Sequence, residues 1–277
     1  FYLSTSMGKD SQCLYHIAKL AGVKFKAHMA LTSVDPPEVI KFGREQYPDV
    51  DFIKPSISIY NQARKEGILP TRLMRWCCRI YKEGIGAGKV TLIGIRHAES
   101  RQRSNRKEVE ISNHKYSGTL DGLDEFREKR NSQKRGRPTH GGVHEINITN
   151  ATDEHTIGCI RGHESLIISP IIEWTDDEVW MFLKTLGIKY CKLYDEGYHR
   201  IGCLCCPMHG YRQKLADCKR YPHIYKSWLK VIDDIRNGGK LDTFGLTNKD
   251  YFDWWISGVG IEAWRNRRKQ QTLNFKD

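Results

Sequence analysis

Short apolar segments typical of β-strands alternate with helical segments along the first 210 residues, and this alternation restricts the fold more than any other feature. Between the first two strand-like segments, Cys13, Leu14 and Ile17 keep helical spacing, and Gly22 is placed to end the helix. Alternating strands and helices predict an α/β fold, a doubly wound and mostly parallel sheet that binds ligands at the carboxyl ends of its strands. The predicted strands are FYLS at the start, KAHMALTSV near residue 30, VDFIKP near residue 52, KVTLIGI at 89–95 and SLIISPI at 165–171.

The composition changes twice along the rest of the chain. Residues 96–138 hold twelve Lys or Arg and seven Asp or Glu, which favours an insertion or active-site lid and equally a solvated surface excursion. After it, Thr175 and Glu178 have the spacing of a capping box at the start of a helix. We therefore predict an α/β domain over residues 1–210 with a basic insertion at about 96–138, followed by a helical C-terminal extension over residues 211–277.

Charge and cysteine usage narrow the class of partner and the compartment. The formal net charge of +12 and the isoelectric point near 9.2 favour an anionic partner such as a nucleotide, a nucleic acid or an acidic protein. No apolar run approaches the roughly 20 residues that cross a bilayer, and no signal-peptide pattern is present. Cysteines cluster as Cys77-Cys78 and Cys203-x-Cys205-Cys206, which suits a metal in a reducing compartment better than disulfide bonds. We expect a cytoplasmic protein with no membrane partner.

The segment STSMGKDSQC, from Ser4 to Cys13, joins the first strand to the first helix. A glycine-containing turn that leads into a helix exposes backbone N–H groups at the positive end of the helix dipole, where they bind phosphate oxygens. Lys9 adds a mobile positive charge and Ser11 a hydroxyl donor, whereas Asp10 is expected to hold the turn or a Mg²⁺ ion. The spacing is not that of the Walker P-loop. The residues alone therefore predict a phosphate-binding turn.

Several segments resemble a single superfamily. The loop SMGKDS resembles the SGGKDS loop of the PP-loop ATP pyrophosphatases, which cleave ATP between the α- and β-phosphates, with Met7 where those proteins usually have glycine. VTLIGIRHAESRQR and SPIIEWTDDEVW are similar to motifs of the branch that contains the phosphoadenylyl-sulfate (PAPS) and adenylyl-sulfate (APS) reductases, and VDPPEV to its acid-bearing loop after the second strand. The resemblance covers about residues 2–210 and implies an adenine nucleotide alpha hydrolase-like fold that binds ATP and Mg²⁺.

The resemblance also implies roles for individual residues. The pattern G-x-R-x-x-E-S-x-x-R is matched at Gly94, Arg96, Glu99, Ser100 and Arg103. Its two arginines could clamp an anionic group beyond the pyrophosphate, since guanidinium groups bind phosphate and sulfate bidentately, or they could be surface residues paired with Glu99. The catalytic residues implied are Lys9, Asp10, Arg96 and Arg103. The nucleotide-binding residues implied are Ser4, Ser6, Gly8, Lys9, Asp10, Ser11, Asp35 and Gly94.

Four thiolates from separate segments are needed to hold a [4Fe–4S] cluster. The CC…CxxC signature of the APS-reductase-like proteins is matched by Cys77, Cys78, Cys203 and Cys206, and their RxCCxxxK pattern by residues 75–82. Zinc is the rival because four cysteines also bind it, although adjacent cysteines are awkward ligands for one tetrahedral ion. We therefore expect a 4Fe–4S cluster. Cys205 is left as a packed residue or an alternative ligand. The other cysteines are expected to be small buried residues, namely Cys13, Cys159, Cys191 and Cys218.

The C-terminal part of the sequence separates the functions that the resemblance allows. Reductases of this branch use a nucleophilic cysteine in a C-terminal E-C-G-[IL]-H segment, and no cysteine follows Cys218 in the 277 residues. The chain is more similar to the ATP pyrophosphatase component of DNA phosphorothioation systems. That similarity implies ATP cleavage to AMP and pyrophosphate, DNA or another nucleic acid as substrate, and a cysteine desulfurase-type sulfur donor. A PAPS or APS reductase and a non-catalytic nucleic-acid-binding relative stay open as alternatives.

Two basic segments would serve DNA binding, namely the 96–138 stretch with its KRGRP sequence and the WRNRRK tail. Trp254, Trp255 and Trp264 could stack on unpaired bases or belong to a helix core. The sequence does not indicate the oligomeric state.

Overall fold

The computed structural model describes residues 1–83, 86, 89–111, 117–118, 143–150, 153–161 and 165–274. Much of the predicted basic insertion, including KRGRP at residues 134–138, lies outside the described residues. The chain divides into two compact units. Unit 1 consists of Phe1–Ala30, Pro37–Ile53 and Glu83–Ile201, and unit 2 of Leu31–Pro36, Lys54–Lys82 and Gly202–Asp277. The C-terminal helices thus share a unit with two earlier segments, and the domain boundary near residue 210 stays a prediction.

Unit 1 contains a mostly parallel sheet, which confirms the predicted fold class. The strands are β1 (Tyr2–Thr5), β2 (Lys26–Ala30), β3 (Asp51–Ile53), β4 (Val90–Leu92), β5 (Val109–Ile111), β6 (Ser117–Gly118), β7 (Val143–Asn150), β8 (Asp153–Arg161) and β9 (Leu166–Ile168). Within the described residues, seven of them form one sheet in the order β3-β2-β1-β4-β9-β5-β6. The neighbouring strands along β3-β2-β1-β4-β9 are all parallel to one another. Strand β5 is antiparallel to both β9 and β6, and β7 and β8 form a separate antiparallel pair. The five strands predicted from the sequence are β1, β2, β3, β4 and β9.

The order of the strands reverses at β1. From β1 the chain passes to β2 and β3 on one side, and β4 and β9 lie on the other side. Ligands of open α/β sheets bind at such a reversal, beyond the carboxyl ends of the strands. Since β1 ends at Thr5, the turn that follows it lies at this position. The fold therefore puts the STSMGKDSQC segment where a ligand site is expected.

Helices occupy much of the remaining described chain. They are α1 (Lys9–Leu20), α2 (Pro37–Gln46), α3 (Ile59–Glu66), α4 (Trp76–Cys78), α5 (Asp176–Thr185), α6 (Tyr211–Arg220), α7 (Pro222–Asn237), α8 (Asn248–Ser257) and α9 (Ile261–Asn274). The helix predicted to stop at Gly22 ends at Leu20, and Gly22 has a φ of +67°, as expected of a glycine just beyond a helix. Among the described residues, no helix combines the length and apolar character that would let it cross a membrane.

Helix α5 begins at the predicted capping box and packs on α1. The Thr175 hydroxyl accepts the N–H of Glu178 at 3.2 Å, and Glu178 Oε2 accepts the N–H of Thr175 at 2.7 Å. Behind this cap, Val179 and Leu183 of α5 are buried against Cys13 of α1. The contact fixes the start of α5 relative to the start of α1, which positions the site described below.

Unit 2 has its own apolar core, built largely from α7 and α8. Trp228 and Trp255 pack with ring centroids 5.2 Å apart, and the Trp255 indole N–H donates to the carbonyl of Pro70 at 2.6 Å. Trp255 and Trp264 are only 8% and 9% exposed. The indole N–H of the neighbouring Trp254 donates to the Val259 carbonyl at 2.9 Å. Of the two interpretations of these tryptophans, the helix-core one is therefore confirmed for Trp255 and Trp264.

Candidate functional site

The hydroxyl group of Ser11 holds the turn between β1 and α1 together. Its Oγ accepts hydrogen bonds from the Ser6 N–H at 3.2 Å and from Thr5 Oγ1 at 3.1 Å, and it donates to the Gly8 carbonyl at 3.0 Å. A hydroxyl has one donor and two acceptor positions, so all three are used within the protein. Ser11 thus shapes the turn, while Ser6 is exposed beside it.

Backbone N–H groups at the start of α1 are directed away from the helix body, as at any helix N-terminus. The Lys9 N–H donates to the hydroxyl of Tyr194 at 2.8 Å. Burial raises the pKa of Tyr194, so this hydroxyl keeps its own proton. In the described part of the chain, no acceptor is found for the N–H groups of Gly8, Asp10 and Ser11. These three groups at the positive end of the helix dipole are suited to bind an anion.

Met7 occupies the position at which the resembled loop has glycine. Its φ is +57°, in the left-handed region that L side chains rarely adopt and that glycine adopts without strain. The side chain is buried and packs toward Gly43 of α2, where a Cβ would lie 2.9 Å from Met7 Cγ. The absence of a side chain at Gly43 therefore makes room for Met7. The turn keeps the backbone conformation that glycine would give it.

Four charged side chains form an ion-pair network at the start of α1. Lys9 Nζ lies 2.8 Å from Asp10 Oδ1 and 2.7 Å from Asp176 Oδ1. Arg96 Nε donates to Asp10 Oδ1 at 2.7 Å, and Arg96 Nη2 donates to Asp176 Oδ1. A further Arg96 nitrogen, Nη1, donates to the Trp174 carbonyl at 2.9 Å. Each cation thus contacts both carboxylates, and the arginine is also tied to the backbone that precedes α5.

Exposure differs greatly among the four side chains. Lys9 and Arg96 are 8% and 1% exposed, whereas Asp10 and Asp176 are 21% and 66% exposed. The hydrogen bond from Lys9 lowers the pKa of Asp176 against the opposing effect of burial, and Arg96 lowers it further. Asp176 is therefore ionised at neutral pH, and the formal charges of the network cancel. Of the two carboxylates, Asp176 is much the more exposed to solvent.

Gly94 follows β4 and lies against the first turn of α1. A Cβ placed on it would come within 2.9 Å of the Asp10 carbonyl oxygen and 3.1 Å of the Ser11 nitrogen. Both atoms belong to backbone, which cannot turn away as a side chain does. The structure therefore places this predicted nucleotide-binding glycine in a packing contact that brings the end of β4 close to α1.

Three other residues that the sequence predicts for catalysis or nucleotide binding make contacts elsewhere, namely Arg103, Ser4 and Asp35. Arg103 Nη1 pairs with Glu99 Oε1, the pairing that the sequence left open as an alternative, and Glu99 Oε1 also accepts the Arg96 N–H at 3.1 Å. Ser4 lies half-buried in β1, in register with His28 of β2. Asp35 belongs to unit 2, where its carboxylate accepts from the N–H of Thr32 at 2.6 Å and from the Thr32 hydroxyl at 2.9 Å. Asp35 therefore shapes its own loop.

Four of the cysteines come together in unit 2. Cys77 and Cys78 end α4, and Cys203 and Cys206 lie in the loop before α6. The charges of Cys78, Cys206 and Cys203 all act on Cys77, and those of Cys203 and Cys78 act on Cys206. A hydrogen bond from Cys77 lowers the pKa of Cys78. The two segments predicted to share a metal site therefore lie close enough for their thiols to interact.

Two cations of the RxCCxxxK pattern accompany these thiols. Arg75 Nη2 donates to Cys78 Sγ at 3.4 Å. Electrostatic attraction to Cys203 raises the pKa of Lys82, and the Lys82 ammonium group also hydrogen-bonds to the Cys203 sulfur. Within the described residues, no group of three or more His, Cys, Asp or Glu side chains is arranged to hold a single metal ion. The thiols thus interact with one another and with two cations, without the geometry of a one-ion site.

Asp176 and Tyr194 are the contributors that sequence reasoning missed. Asp176 is one of three consecutive acidic residues in TDDEV, and the local pattern does not distinguish it from Asp177 or Glu178. Its role depends on a pairing with Lys9 across 167 positions of the chain. Tyr194 reaches the Lys9 N–H across 185 positions. We find no signal in the sequence that could have indicated Tyr194.

Comparisons with known proteins cover about the first three quarters of the chain. The family model for the phosphoadenosine phosphosulfate reductase domain matches residues 1–209. An adenosine 5′-phosphosulfate reductase of Shouchella clausii is 23% identical over 214 residues, which are 73% of this chain and 68% of that protein. An uncharacterized protein of Methanocaldococcus jannaschii is 34% identical over 65 residues, which are 24% of this chain but only 16% of that protein.

Among solved structures, the phosphoadenylyl-sulfate reductase from Candida auris, crystallised as a phosphate complex, also matches part of this chain. It is 15% identical in sequence, with a TM-score of 0.37, and the match covers 73% of this chain and 80% of that one.

Proposed function

This chain belongs to the phosphoadenosine phosphosulfate reductase domain family, and from that premise we propose that it binds ATP at the start of α1 and cleaves it between the α- and β-phosphates. The adenylyl group then activates a phosphate oxygen for replacement by sulfur. We propose DNA as the molecule that carries this phosphate, so that the product is a DNA phosphorothioate. The observation that carries the proposal is the network of Lys9, Arg96, Asp10 and Asp176 beside the N–H groups of Gly8, Asp10 and Ser11, which have no acceptor among the described residues.

The residues of the network have complementary tasks in this reaction. The N–H groups of Gly8, Asp10 and Ser11 would bind the terminal phosphates, and Lys9 and Arg96 would stabilise the charge that develops as pyrophosphate leaves. Catalysis of phosphoryl transfer depends mainly on positioning and on charge stabilisation, and buried cations held in place supply both.

Sulfur would replace the phosphate oxygen in three steps. A phosphate oxygen attacks the α-phosphorus of ATP, and pyrophosphate leaves. A persulfide sulfur from a cysteine desulfurase-type donor then attacks the activated phosphorus, and AMP leaves. A thiol finally cleaves the remaining S–S bond, which leaves sulfur on the phosphate.

Mg²⁺ fits the carboxylates of this network. Asp10 and Asp176 each use Oδ1 for the two cations, and their Oδ2 atoms have no hydrogen-bond partner among the described residues. Carboxylate oxygens together with substrate phosphates are the ligands that Mg²⁺ prefers. Asp10 and Asp176 would therefore hold it, and when bound it would neutralise phosphate charge.

A [4Fe–4S] cluster fits the four thiols of unit 2. A single tetrahedral ion requires sulfur atoms about 2.3 Å from it, and the described residues contain no group so arranged. A cluster accepts one thiolate at each of several irons, which suits thiols from two segments that interact at longer range. We propose Cys77, Cys78, Cys203 and Cys206 as its ligands. When bound, it would link residues 77–78 to residues 203–206 and so stabilise unit 2.

Basic residues distributed around α9 support a nucleic acid as the sulfur acceptor. Arg265, Arg267 and Lys269 are all exposed on this helix, while Trp264 anchors it in the core. Cations arranged along one helix can neutralise successive backbone phosphates and displace their counterions. DNA binding through α9 would therefore weaken steeply as salt is added.

A second candidate function is the reduction of APS or PAPS. It is favoured by the similarity to the Shouchella clausii enzyme over nearly three quarters of this chain. In that case the same cations would bind the phosphates of a sulfonucleotide, and sulfite would be released at the expense of a thiol reductant.

One experiment separates these functions. The full chain, purified without oxygen, is given ATP, APS or PAPS, with and without double-stranded DNA, and AMP, pyrophosphate and sulfite are measured. We expect pyrophosphate from ATP, with AMP following as water or an added persulfide attacks the adenylylated phosphate. Lys9→Ala should be at least about 100-fold slower, because a buried charge at the phosphates is lost. Lys41→Ala, in which an exposed lysine of α2 is removed, is the matched control and should keep the wild-type rate.

Two results would contradict the proposal. Sulfite released from APS or PAPS, with no pyrophosphate from ATP, would establish the reductase. Equal rates for Lys9→Ala and Lys41→Ala would show that the network takes no part in nucleotide cleavage.

A further inference from the structure

Two cysteines outside the proposed cluster ligands lie in contact in unit 2. Cys205 Sγ and Cys218 Sγ are 3.3 Å apart. Cys205 is in the loop before α6 and only 1% exposed, while Cys218 is in the last turns of α6 and half-buried. Sequence reasoning treated Cys218 as a small packing residue, and its spacing from Cys205 gives no indication of a pair.

The backbone around Cys205 holds the pair in place. Its φ is +54°, a conformation that residues other than glycine rarely adopt and that is often found at functional sites. The Cys205 N–H donates to Asp217 Oδ2 at 2.9 Å, and Asp217 directly precedes Cys218 in α6. Asp217 is itself buried, with its other carboxylate oxygen unpartnered in the described part of the chain. The same aspartate thus fixes the backbone of one cysteine and neighbours the other.

We propose that Cys205 and Cys218 form a redox-active dithiol that reduces small-molecule disulfides. The more accessible Cys218 attacks one sulfur of the substrate, which forms a mixed disulfide and releases one thiol. Cys205 then attacks Cys218 Sγ, releases the second thiol and closes a Cys205–Cys218 disulfide. The protein loses two electrons and two protons, and the substrate disulfide gains them as two thiols. Closure requires the sulfurs to approach from 3.3 Å to about 2.05 Å.

This activity is independent of the nucleotide reaction. It involves neither the network at α1 nor the thiols of Cys77, Cys78, Cys203 and Cys206. Apart from the four proposed cluster ligands, the other cysteines whose side chains are described lack such a neighbour, and Cys13 Sγ, for example, contacts the Val179 carbonyl at 3.5 Å. The pair therefore provides a chemistry that neither the family match nor the proposed cluster requires.

The test uses the full chain, purified without oxygen and incubated with oxidised glutathione. Free thiols are blocked with N-ethylmaleimide in acid, and unreduced tryptic peptides are analysed by mass spectrometry. We expect the peptide of residues 201–212 to be joined to that of residues 215–219, with fragmentation placing the bond on Cys205 and not on Cys203 or Cys206. Reduced glutathione should appear at two molecules for each bond formed.

Variants distinguish the cysteine that attacks the substrate disulfide from the cysteine that resolves the mixed disulfide. Cys205→Ser should accumulate at least tenfold more glutathione on Cys218 than the wild type, because the resolving thiol is gone, and Cys205→Ala should do the same. Cys218→Ser should form neither the adduct nor the linked peptide. Cys191→Ser, which removes a buried cysteine of unit 1, is the matched control and should form the linked peptide like the wild type. Far-UV circular dichroism checks that each variant is folded.

Three outcomes would overturn the proposal. The first is a wild type that yields no linked peptide even at saturating oxidised glutathione. The bond could join Cys218 to Cys203 or Cys206 instead of Cys205. Alternatively, glutathione could accumulate on Cys218 equally in the wild type and in Cys205→Ser, which would show that Cys205 does not resolve the mixed disulfide.

Discussion

Gly94→Ala tests whether the close approach of β4 to α1 is required by the fold. The added Cβ would lie 2.9 Å from the Asp10 carbonyl oxygen, 3.0 Å from the Asp10 carbonyl carbon and 3.1 Å from the Ser11 nitrogen. Ordinary contacts of a Cβ begin at 3.4 Å. Because all three neighbours are backbone atoms in the first turn of a helix, no side-chain rotation can relieve the contact.

The size of the effect follows from these distances. The first turn of α1 or the end of β4 must move by about 0.3 to 0.5 Å to restore ordinary contact. Overpacking of this kind typically destabilises a protein by about 1–3 kcal/mol. Asp10 and Lys9 move with that turn, and a displacement of about 1 Å can slow an enzyme about 100-fold, so a smaller shift predicts about a tenfold loss of ATP cleavage.

Urea denaturation and the pyrophosphate assay measure the two effects separately. Gly260→Ala is the matched control, because a Cβ at Gly260 would meet no atom within 4 Å and its backbone does not have a positive φ. That variant should lose no more than about 1 kcal/mol, since Gly260 is the N-cap of α9, where alanine is somewhat less favourable than glycine. The reasoning would be refuted if Gly94→Ala unfolded at the same urea concentration as Gly260→Ala and cleaved ATP at the wild-type rate.

Three further predictions concern other parts of the molecule. Thr175→Ala should lower the free energy of unfolding by about 1 kcal/mol in urea denaturation, because the hydroxyl that caps α5 is lost; an unchanged midpoint would contradict it. Cys203→Ser should lose iron and visible absorption and unfold at a lower temperature, whereas Cys191→Ser should keep the iron, the absorption and the unfolding temperature of the wild type. Retention of iron by Cys203→Ser would exclude Cys203 as a ligand. Asp176→Asn should be less stable than the wild type at neutral pH, and this difference should vanish on acidification. Since the folded pKa of Asp176 is lowered, its contribution is present above the ordinary carboxyl pKa and lost as the pH falls through the folded pKa. A difference in melting temperature that stayed constant down to acidic pH would argue against the pairing.

The parts of the fold that depend on local pattern could be predicted from the sequence. Five strands of the sheet, the end of α1 near Gly22 and the capping box at Thr175 all follow from short-range apolar spacing and capping chemistry. The position of the first turn at the reversal of strand order follows in turn from the alternation of strands and helices. What the pattern could not supply is the division of the chain into units, because that depends on contacts between distant segments.

The same limit explains what was missed at the sites. Asp176 and Tyr194 reach Lys9 only because α5 packs on α1 and the chain after it returns to the same turn. Met7 reads in the sequence as a departure from the glycine of the resembled loop. The compensation lies in α2, where Gly43 leaves the space that the methionine fills. A substitution and its compensation at positions so far apart cannot be connected without the structure.

The exposure of the carboxylates indicates which of them an incoming phosphate displaces under the proposed function. Asp10 is held between Lys9 and Arg96 in the turn that Gly94 packs against, and is 21% exposed. Asp176 is 66% exposed, so its carboxylate can turn from the two cations toward solvent, where it would still be available to Mg²⁺ bound with the phosphates. A phosphate oxygen that takes its place meets Lys9 and Arg96 already oriented by Asp10 and by the Trp174 carbonyl. Cations that need no reorganisation stabilise a transition state more effectively than mobile ones. The cancelled charge of the network is therefore compatible with anion binding, because Asp176 keeps the two cations in a binding geometry until the substrate arrives.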